Sequence, residues 1–373
     1  MICVLIGIVP PIENQNWEEI QHNISKALFY NNIDIQWRDN SLAIDNGCPT
    51  LIVEAITDST PDKLVPEVEV SLNQLRHDFT YSCELWATAP APLPLRPLEG
   101  YENILRHQSD NDISWTSWAS TVMQKFGIIV QDQILDSTGL SELSSYVNNA
   151  IIKTESAISC YRPDIKIGKD FFCFKEIASR NLERFDLRLT DDDTVNFVTK
   201  FILAQSSVNS FLHNSLGPIH DVDFDISVVY SRPGACAQGW HADGSHQKEA
   251  NDAGWQEDGW KTQLTNAYAI CLFLPLINLN ENVGFTQFWP GSHRSRDFLG
   301  FGPVAEITQS TFDGICNAGD GVWYDYRLIH RGMPNNSNVV RPVLQVIFKK
   351  KWYIEKANYG VESIQGSDDV NNT

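Results

Sequence analysis

The chain has 373 residues, 42% of them hydrophobic and 20% charged, which fits one large folded domain or a large and a small one and excludes long disorder. Its 47 acidic against 28 basic side chains leave a formal charge of −19, a field that repels phosphate backbones and anionic bilayers. Nucleic-acid and membrane partners are therefore not expected, and a strongly anionic substrate such as an acyl-CoA would need a local basic pocket.

Eight cysteines are scattered without a C-x-x-C pair, so reduced thiols and a cytoplasmic location are expected. The apolar opening at 1–9 is short, lacks the basic flank of a signal peptide and ends at Pro10-Pro11, so it reads as a buried strand. No apolar run approaches the roughly 18 residues of a membrane span, and the terminal Asn371-Asn372-Thr373 is not a peroxisomal address.

In chain order, a strand at 2–9 is followed by an amphipathic helix at 17–30, extended segments at 33–44 and 51–56, a helix at 65–79 and a strand at 82–87. This βαββαβ order predicts a small α+β accessory domain of ferredoxin-like type over 1–87. Pro90, Pro92, Pro94 and Pro97 then mark a semi-rigid linker, 88–111. Beyond it, helices are expected at 115–126 and 140–159 and a strand at 128–134. A further helix is expected from Thr190, whose hydroxyl can cap it ahead of Asp191, Asp192 and Asp193. From 224 onward short β-rich runs separated by Gly, Pro and Asn turns, at 226–230, 239–243, 267–276, 286–289, 321–326 and 343–353, predict a mainly β jelly roll with flanking helices. A catalytic domain over 112–360 and a polar tail over 361–373 complete the division.

In Gln238-Gly239-Trp240-His241-Ala242-Asp243, a histidine and an aspartate two apart share one face of a strand, with Trp240 and Ala242 pointing away. Such a pair supplies two ligands of a 2-His-1-carboxylate iron site, although a histidine and a carboxylate so placed are, taken alone, more often a surface or structural hydrogen-bonded pair. A second histidine, His330, closes an aromatic-rich strand before Arg331-Gly332-Met333-Pro334. Eleven residues later Arg341-Pro342 opens the final strand, where a guanidinium can grip a carboxylate with two parallel hydrogen bonds.

Together with Gly284-Phe285-Thr286 and the Trp289-Pro290-Gly291-Ser292-His293 turn, these segments resemble the phytanoyl-CoA dioxygenase-like family of iron(II)/2-oxoglutarate oxygenases. The resemblance implies a double-stranded β-helix (jelly roll, cupin-like), with His241, Asp243 and His330 as metal ligands and catalytic centre. It implies Arg341 on the distal carboxylate of 2-oxoglutarate, with Gln238 and Thr286 as further cosubstrate contacts. It implies O2 as the oxidant and succinate and CO2 as coproducts. Where the family often has Gly-Pro-Thr, this chain has Phe285. Related halogenases carry a small residue at the position of Asp243, so Asp243 points to oxygenation. His293 is read as structural.

The segment 245–263 follows the ligand pair directly and is rich in Gly, Trp and acidic residues. It is either a lid that brings Trp255, Trp260 and His246 to the substrate or a solvated insertion. Arg327 is expected to pair with a carboxylate. The sequence thus points to oxidation of an unactivated C–H of a small, neutral or cationic metabolite, by hydroxylation, desaturation or cyclisation. The alternatives are a metal-dependent cupin enzyme that does not use 2-oxoglutarate, for which Arg341 has no purpose, and a catalytically silent metabolite-binding protein.

Overall fold

The computed structural model describes residues 2–9, 24, 35–45, 48–57, 60–74, 82–90, 93–94, 97, 100–107, 114–244, 267–355 and 358–366. The chain divides into two units, residues 1–98 with 297–310 and residues 99–296 with 311–373.

In the first unit, β1 (Ile2–Val9), β2 (Ile35–Asp45), β3 (Cys48–Thr57) and β4 (Ser82–Pro90) form an antiparallel sheet in the order β2-β3-β1-β4. β1 lies inside the sheet, and Ile6 and Ile8, two apart on one face, are fully buried. β4 runs on through Pro90, three residues past the expected end. It is an edge strand, where a missing N–H is tolerated. The helix Pro61–Asn73 buries Leu64, Val68 and Leu72, spaced four apart. It begins four residues before the expected 65, because Pro61 at the first turn costs no hydrogen bond. The helix expected at 17–30 lies outside the described residues apart from Ile24, which is helical and buried.

The second unit mixes helix and sheet. Ser114 caps the helix Trp115–Phe126 through the Ser117 N–H, and Gly127 ends it at φ 72°. Asp136 caps Ser137–Tyr161, three residues ahead of the expected start. Asp191, not Thr190, caps Asp192–Val198: its carboxylate accepts from the Thr194 N–H and hydroxyl, a charged acceptor suiting the helix's positive end better than a hydroxyl. No helix among the described residues is long and apolar enough to cross a membrane.

Seven antiparallel strands form the main sheet: β5 (Ile128–Gln131), β6 (Ile177–Asn181), β7 (Arg184–Leu189), β8 (Val222–Ser231), β9 (Ala269–Pro275), β12 (Gly321–Asp325) and β14 (Arg341–Lys350). Their order is β5-β12-β9-β14-β8-β7-β6. A smaller sheet pairs β11 (Phe312–Asp313), β10 (Thr286–Phe288) and β13 (His330–Gly332). The β6–β7 hairpin was not anticipated.

Strand alternation organises the core around the main sheet. Trp323 of β12 stacks on Phe348 (ring centroids 5.8 Å apart) and meets Phe211 of the helix Ser206–Leu216 edge-on at 5.4 Å. Its neighbour Tyr324 faces the other way, against Phe273 and Phe288 at 5.0 and 5.3 Å. In β14, Leu344, Val346 and Phe348 are fully buried, each worth roughly 2 kcal/mol of apolar burial. Arg341, Val343 and Gln345 occupy the opposite face and line a cavity.

Candidate metal centre and anion pocket

The cavity has a volume of about 510 Å³ and takes its walls from both sheets. His330 begins β13 and pairs in an isolated bridge with His241, the His241 N–H donating to the His330 carbonyl at 2.9 Å and the reverse bond at 2.8 Å. The expected strand at 239–243 is only this bridge. Trp240 and Ala242 border the cavity as well, and the Trp240 ring packs on the guanidinium of Arg331, 4.6 Å from the ring centroid.

One ligand atom from each of His241, Asp243 and His330 lies within 4.8 Å of the others. Asp243 sits between the imidazoles, its Oδ1 3.6 Å from His241 Nε2 and its Oδ2 3.6 Å from His330 Nε2. His241 Nδ1 is 2.8 Å from the Gly239 carbonyl and His330 Nδ1 is 2.9 Å from the Leu328 carbonyl. A carbonyl accepts only, so each Nδ1 carries the proton and each Nε2 lone pair is left facing Asp243. Two neutral nitrogens and one anionic oxygen, oriented by backbone carbonyls, suit iron(II), zinc or a similar divalent metal.

The turn before His330 is braced from within. Arg327 grips Asp325 with two bonds of 2.8 and 2.6 Å, both side chains buried, which bears out its pairing with a carboxylate. Ser292 Oγ accepts the Ile329 N–H at 2.9 Å. The ring of His293 is buried against Gly127, clear of the metal centre.

Burial pushes the His330 imidazole down from 6.5 to about 4 against the pull of Asp243, and burial does the same to His293, also to about 4. Both groups bind a proton more weakly folded than unfolded. Their contribution to stability is full above pH 6.5 and is lost as pH falls from there through about 4. The melting midpoint of the metal-free protein is expected to drop progressively between about pH 6.5 and about pH 4.5; a midpoint unmoved over that interval would contradict this.

At the other side of the cavity Arg341 is 3% and Arg184 1% exposed. The two flank Ser231 on adjacent strands, because Arg341 and Arg184 are both register partners of that residue. Arg341 Nη1 reaches the Phe285 carbonyl at 3.4 Å, and Arg184 Nη2 reaches the carbonyls of Met333 and Cys236 at 2.9 and 3.1 Å. Neither meets a carboxylate among the described residues, and the Nε of each has no hydrogen-bond partner. Burial lowers Arg184 to about 10; burial and the nearby Arg184 lower Arg341 to about 9. Two buried cations that repel each other form a site for an anion. The acidic surface is thus overridden locally.

Gln238 Oε1 accepts the Gly332 N–H at 3.1 Å, and Gln238 and Thr286 both border the cavity. Glycines let these side chains approach. A Cβ at Gly332 would lie 2.4 Å from Gln238 Oε1 and 2.5 Å from Arg184 Nη1. Gly284 has φ +82°, and a Cβ there would lie 2.2 Å from the Pro334 carbonyl and 2.8 Å from Arg341 Nη1. Gly284→Ala is expected to cost about 1–3 kcal/mol and to displace the guanidinium, readable as a lowered urea midpoint; an unchanged midpoint would refute the constraint.

Arg184 and its hairpin neighbours Arg180 and Asp186, which pair at 2.8 Å, were not picked out by the sequence reading. The signal was present: Phe185, Leu187 and Leu189 alternate with Arg184, Asp186 and Arg188, the period of a half-buried strand. Tyr324, whose hydroxyl donates to Asp243 Oδ2 at 2.9 Å, was also missed. His246, Trp255 and Trp260 lie outside the described residues.

Residues 160–343 match the family model described as phytanoyl-CoA dioxygenase (PhyH), and His241, Asp243, His330 and Arg341 all fall inside that span. Among solved structures, the chain is similar to the non-heme alpha ketoglutarate dependent carbocyclase SnoK from nogalamycin biosynthesis (14% identity, 64% of this chain and 85% of that one, TM-score 0.42). It is also similar to EctD from S. alaskensis with bound Fe (17%, 70% and 85%, 0.43), and to HygX from Streptomyces hygroscopicus with nickel and 2-oxoglutarate bound (9%, 66% and 95%, 0.43).

Proposed function

We propose, from the premise that the chain belongs to the phytanoyl-CoA dioxygenase family of iron(II)/2-oxoglutarate-dependent oxygenases, that it oxidises an unactivated C–H bond of a small organic metabolite by hydroxylation, or by a related desaturation or ring closure. The observation that carries this reading is the pairing, in one cavity, of a His-Asp-His donor set with two buried guanidiniums that lack a carboxylate. That pairing supports 2-oxoglutarate over a cupin chemistry that needs no anion clamp.

In this reading His241, Asp243 and His330 hold iron(II), and Arg341 receives the distal carboxylate of 2-oxoglutarate, with Arg184 beside it. Gln238 and Thr286 border the cosubstrate. When bound, iron and 2-oxoglutarate would activate O2, the oxidant for C–H cleavage, with two of its electrons drawn from 2-oxoglutarate as that goes to succinate and CO2. The protein's own part is placement and exclusion. The carbonyls of Gly239 and Leu328 keep both Nε2 lone pairs unprotonated, the arginines fix the distal end of the cosubstrate, and Phe273, Val229 and Val343 give the cavity an apolar wall.

The two sheets that share the cavity support a double-stranded β-helix, and the β2-β3-β1-β4 order supports a ferredoxin-like accessory unit.

Anaerobic titration of the metal-free protein with iron(II) and then 2-oxoglutarate tests the reading. The weak visible charge-transfer band of chelated cosubstrate is expected to appear and saturate, and succinate to form when O2 and a substrate metabolite are supplied. Iron binding without a band would favour the other cupin chemistry, and absence of iron binding would refute the site.

A further inference from the structure

We propose that Tyr324 is a positioning residue for the metal-binding carboxylate: its phenol sets the rotation and the donor strength of Asp243. This rests on the reading that His241, Asp243 and His330 hold iron, and it assigns a role to a side chain outside that ligand set.

Tyr324 is fully buried in β12 and projects from the cavity face of the main sheet. Its hydroxyl is 2.9 Å from Asp243 Oδ2. An ionised carboxylate only accepts, so the phenol is the donor. Because both histidines spend their Nδ1 protons on backbone carbonyls, their Nε2 atoms have none to give to Asp243. Among the described residues the phenol is therefore the hydrogen-bond donor that orients this carboxylate.

The donor itself is held firmly. The ring lies against Phe273, Phe288 and His330, at centroid distances of 5.0, 5.3 and 5.1 Å. Behind it stands its register partner Cys271, whose sulfur receives Gln345 Nε2 at 3.4 Å, while Gln345 Oε1 accepts from Ser227 Oγ at 3.0 Å. These polar groups sit on the cavity side of three adjacent strands, β8, β14 and β9, and back the phenol with a buried, ordered chain.

The consequence follows from carboxylate chemistry. A proton held on Oδ2 draws charge away from the group and occupies one of that oxygen's lone pairs, which favours donation to a metal through Oδ1 alone. Asp243 lies outside the named strands, between the His241–His330 bridge and the Gly244 N–H that donates to the Tyr326 carbonyl, so the backbone on either side is anchored while no strand neighbour packs its side chain into one rotation. A rigid donor on the opposite sheet does so instead.

The test uses the full-length protein, iron(II) and 2-oxoglutarate under anaerobic conditions, and reads the charge-transfer band. Tyr324→Phe keeps the ring and removes the proton. Asp243 then becomes the stronger donor and the metal more electron-rich, so the band is expected to move to longer wavelength, while the loss of the carboxylate's fixed rotation outweighs its gain in basicity and lowers iron(II) affinity about tenfold. Replacing tyrosine throughout by 3-fluorotyrosine keeps the shape and makes the phenol a stronger donor, so the band is expected to move to shorter wavelength. Melting curves establish that both proteins are folded; should the phenylalanine variant not fold, the fluorotyrosine protein decides alone. Opposite shifts support the proposal, which a purely structural role for Tyr324 would not produce. A band present in wild type and unmoved by either change overturns it while leaving the proposed function standing, whereas no band in wild type overturns both.

Discussion

Asp243→Ala is expected to abolish turnover and to weaken iron(II) binding by at least about a hundredfold. Asp243 is the one anionic member of the donor set, and without it a divalent cation faces two neutral imidazoles and loses its charge partner. The stability of the metal-free protein is expected to change far less. Two effects oppose each other: the Tyr324 hydroxyl loses its acceptor, at about 1–3 kcal/mol, and a carboxylate only 21% exposed no longer has to be desolvated. Iron content after gel filtration, with oxygen consumption in parallel, measures both sides. Retention of stoichiometric iron by the variant would refute the assignment of this carboxylate. Asp243→Glu keeps the charge on a longer arm and is expected to bind iron more weakly than wild type and more tightly than the alanine variant.

Arg341→Ala carries the second large effect, and its signs differ between binding and stability. A buried guanidinium that closes two hydrogen bonds on a carboxylate is worth about 1.5–3 kcal/mol for each bond. The affinity for 2-oxoglutarate is therefore expected to fall by at least about a hundredfold, with iron(II) affinity unchanged. In the free protein that same guanidinium is 3% exposed, has an Nε without a partner and stands beside Arg184. Removing it relieves a desolvated, repelled cation, so the melting midpoint of the ligand-free variant is expected to equal or exceed that of wild type despite the space left behind. Arg341→Lys supplies a point charge without the planar fork and is expected to recover only part of the affinity. An arginine kept for structure would give the reverse pattern, a lowered midpoint with cosubstrate affinity intact.

Much of the centre is legible in the sequence because it depends on local spacing. The His241-x-Asp243 pair, the aromatic strand ending in His330 and the Arg341-Pro342 opening of the last strand are each short, and each carries a residue type with few alternatives for its chemistry. Helix limits were less legible. Pro61, Asp136 and Asp191 each start a helix ahead of its first periodic apolar residue, a position set by where orphan N–H groups find an acceptor or need none.

What composition says about the surface does not carry into the cavity. A net charge of −19 describes the surface as a whole, whereas Arg184 and Arg341 concentrate positive charge in one buried place. The field inside a low-dielectric cavity follows its nearest charges and not the sum over the surface.

The sequence by itself determined the chemistry available: two imidazoles, a carboxylate and a guanidinium on segments patterned for a β fold. Tertiary structure alone decided which further residues join them. Arg184 lies 57 positions before His241 and Tyr324 lies 81 positions after Asp243, and neither separation carries a signal along the chain. They meet because β7 and β14 flank β8 with Arg184 and Arg341 both in register with Ser231, and because alternation turns Tyr324 toward the cavity and Trp323 toward the helices. Register and pairing are long-range choices, made by burying whole faces of sheets, and a one-residue slip in any of these strands would send those side chains to the opposite face.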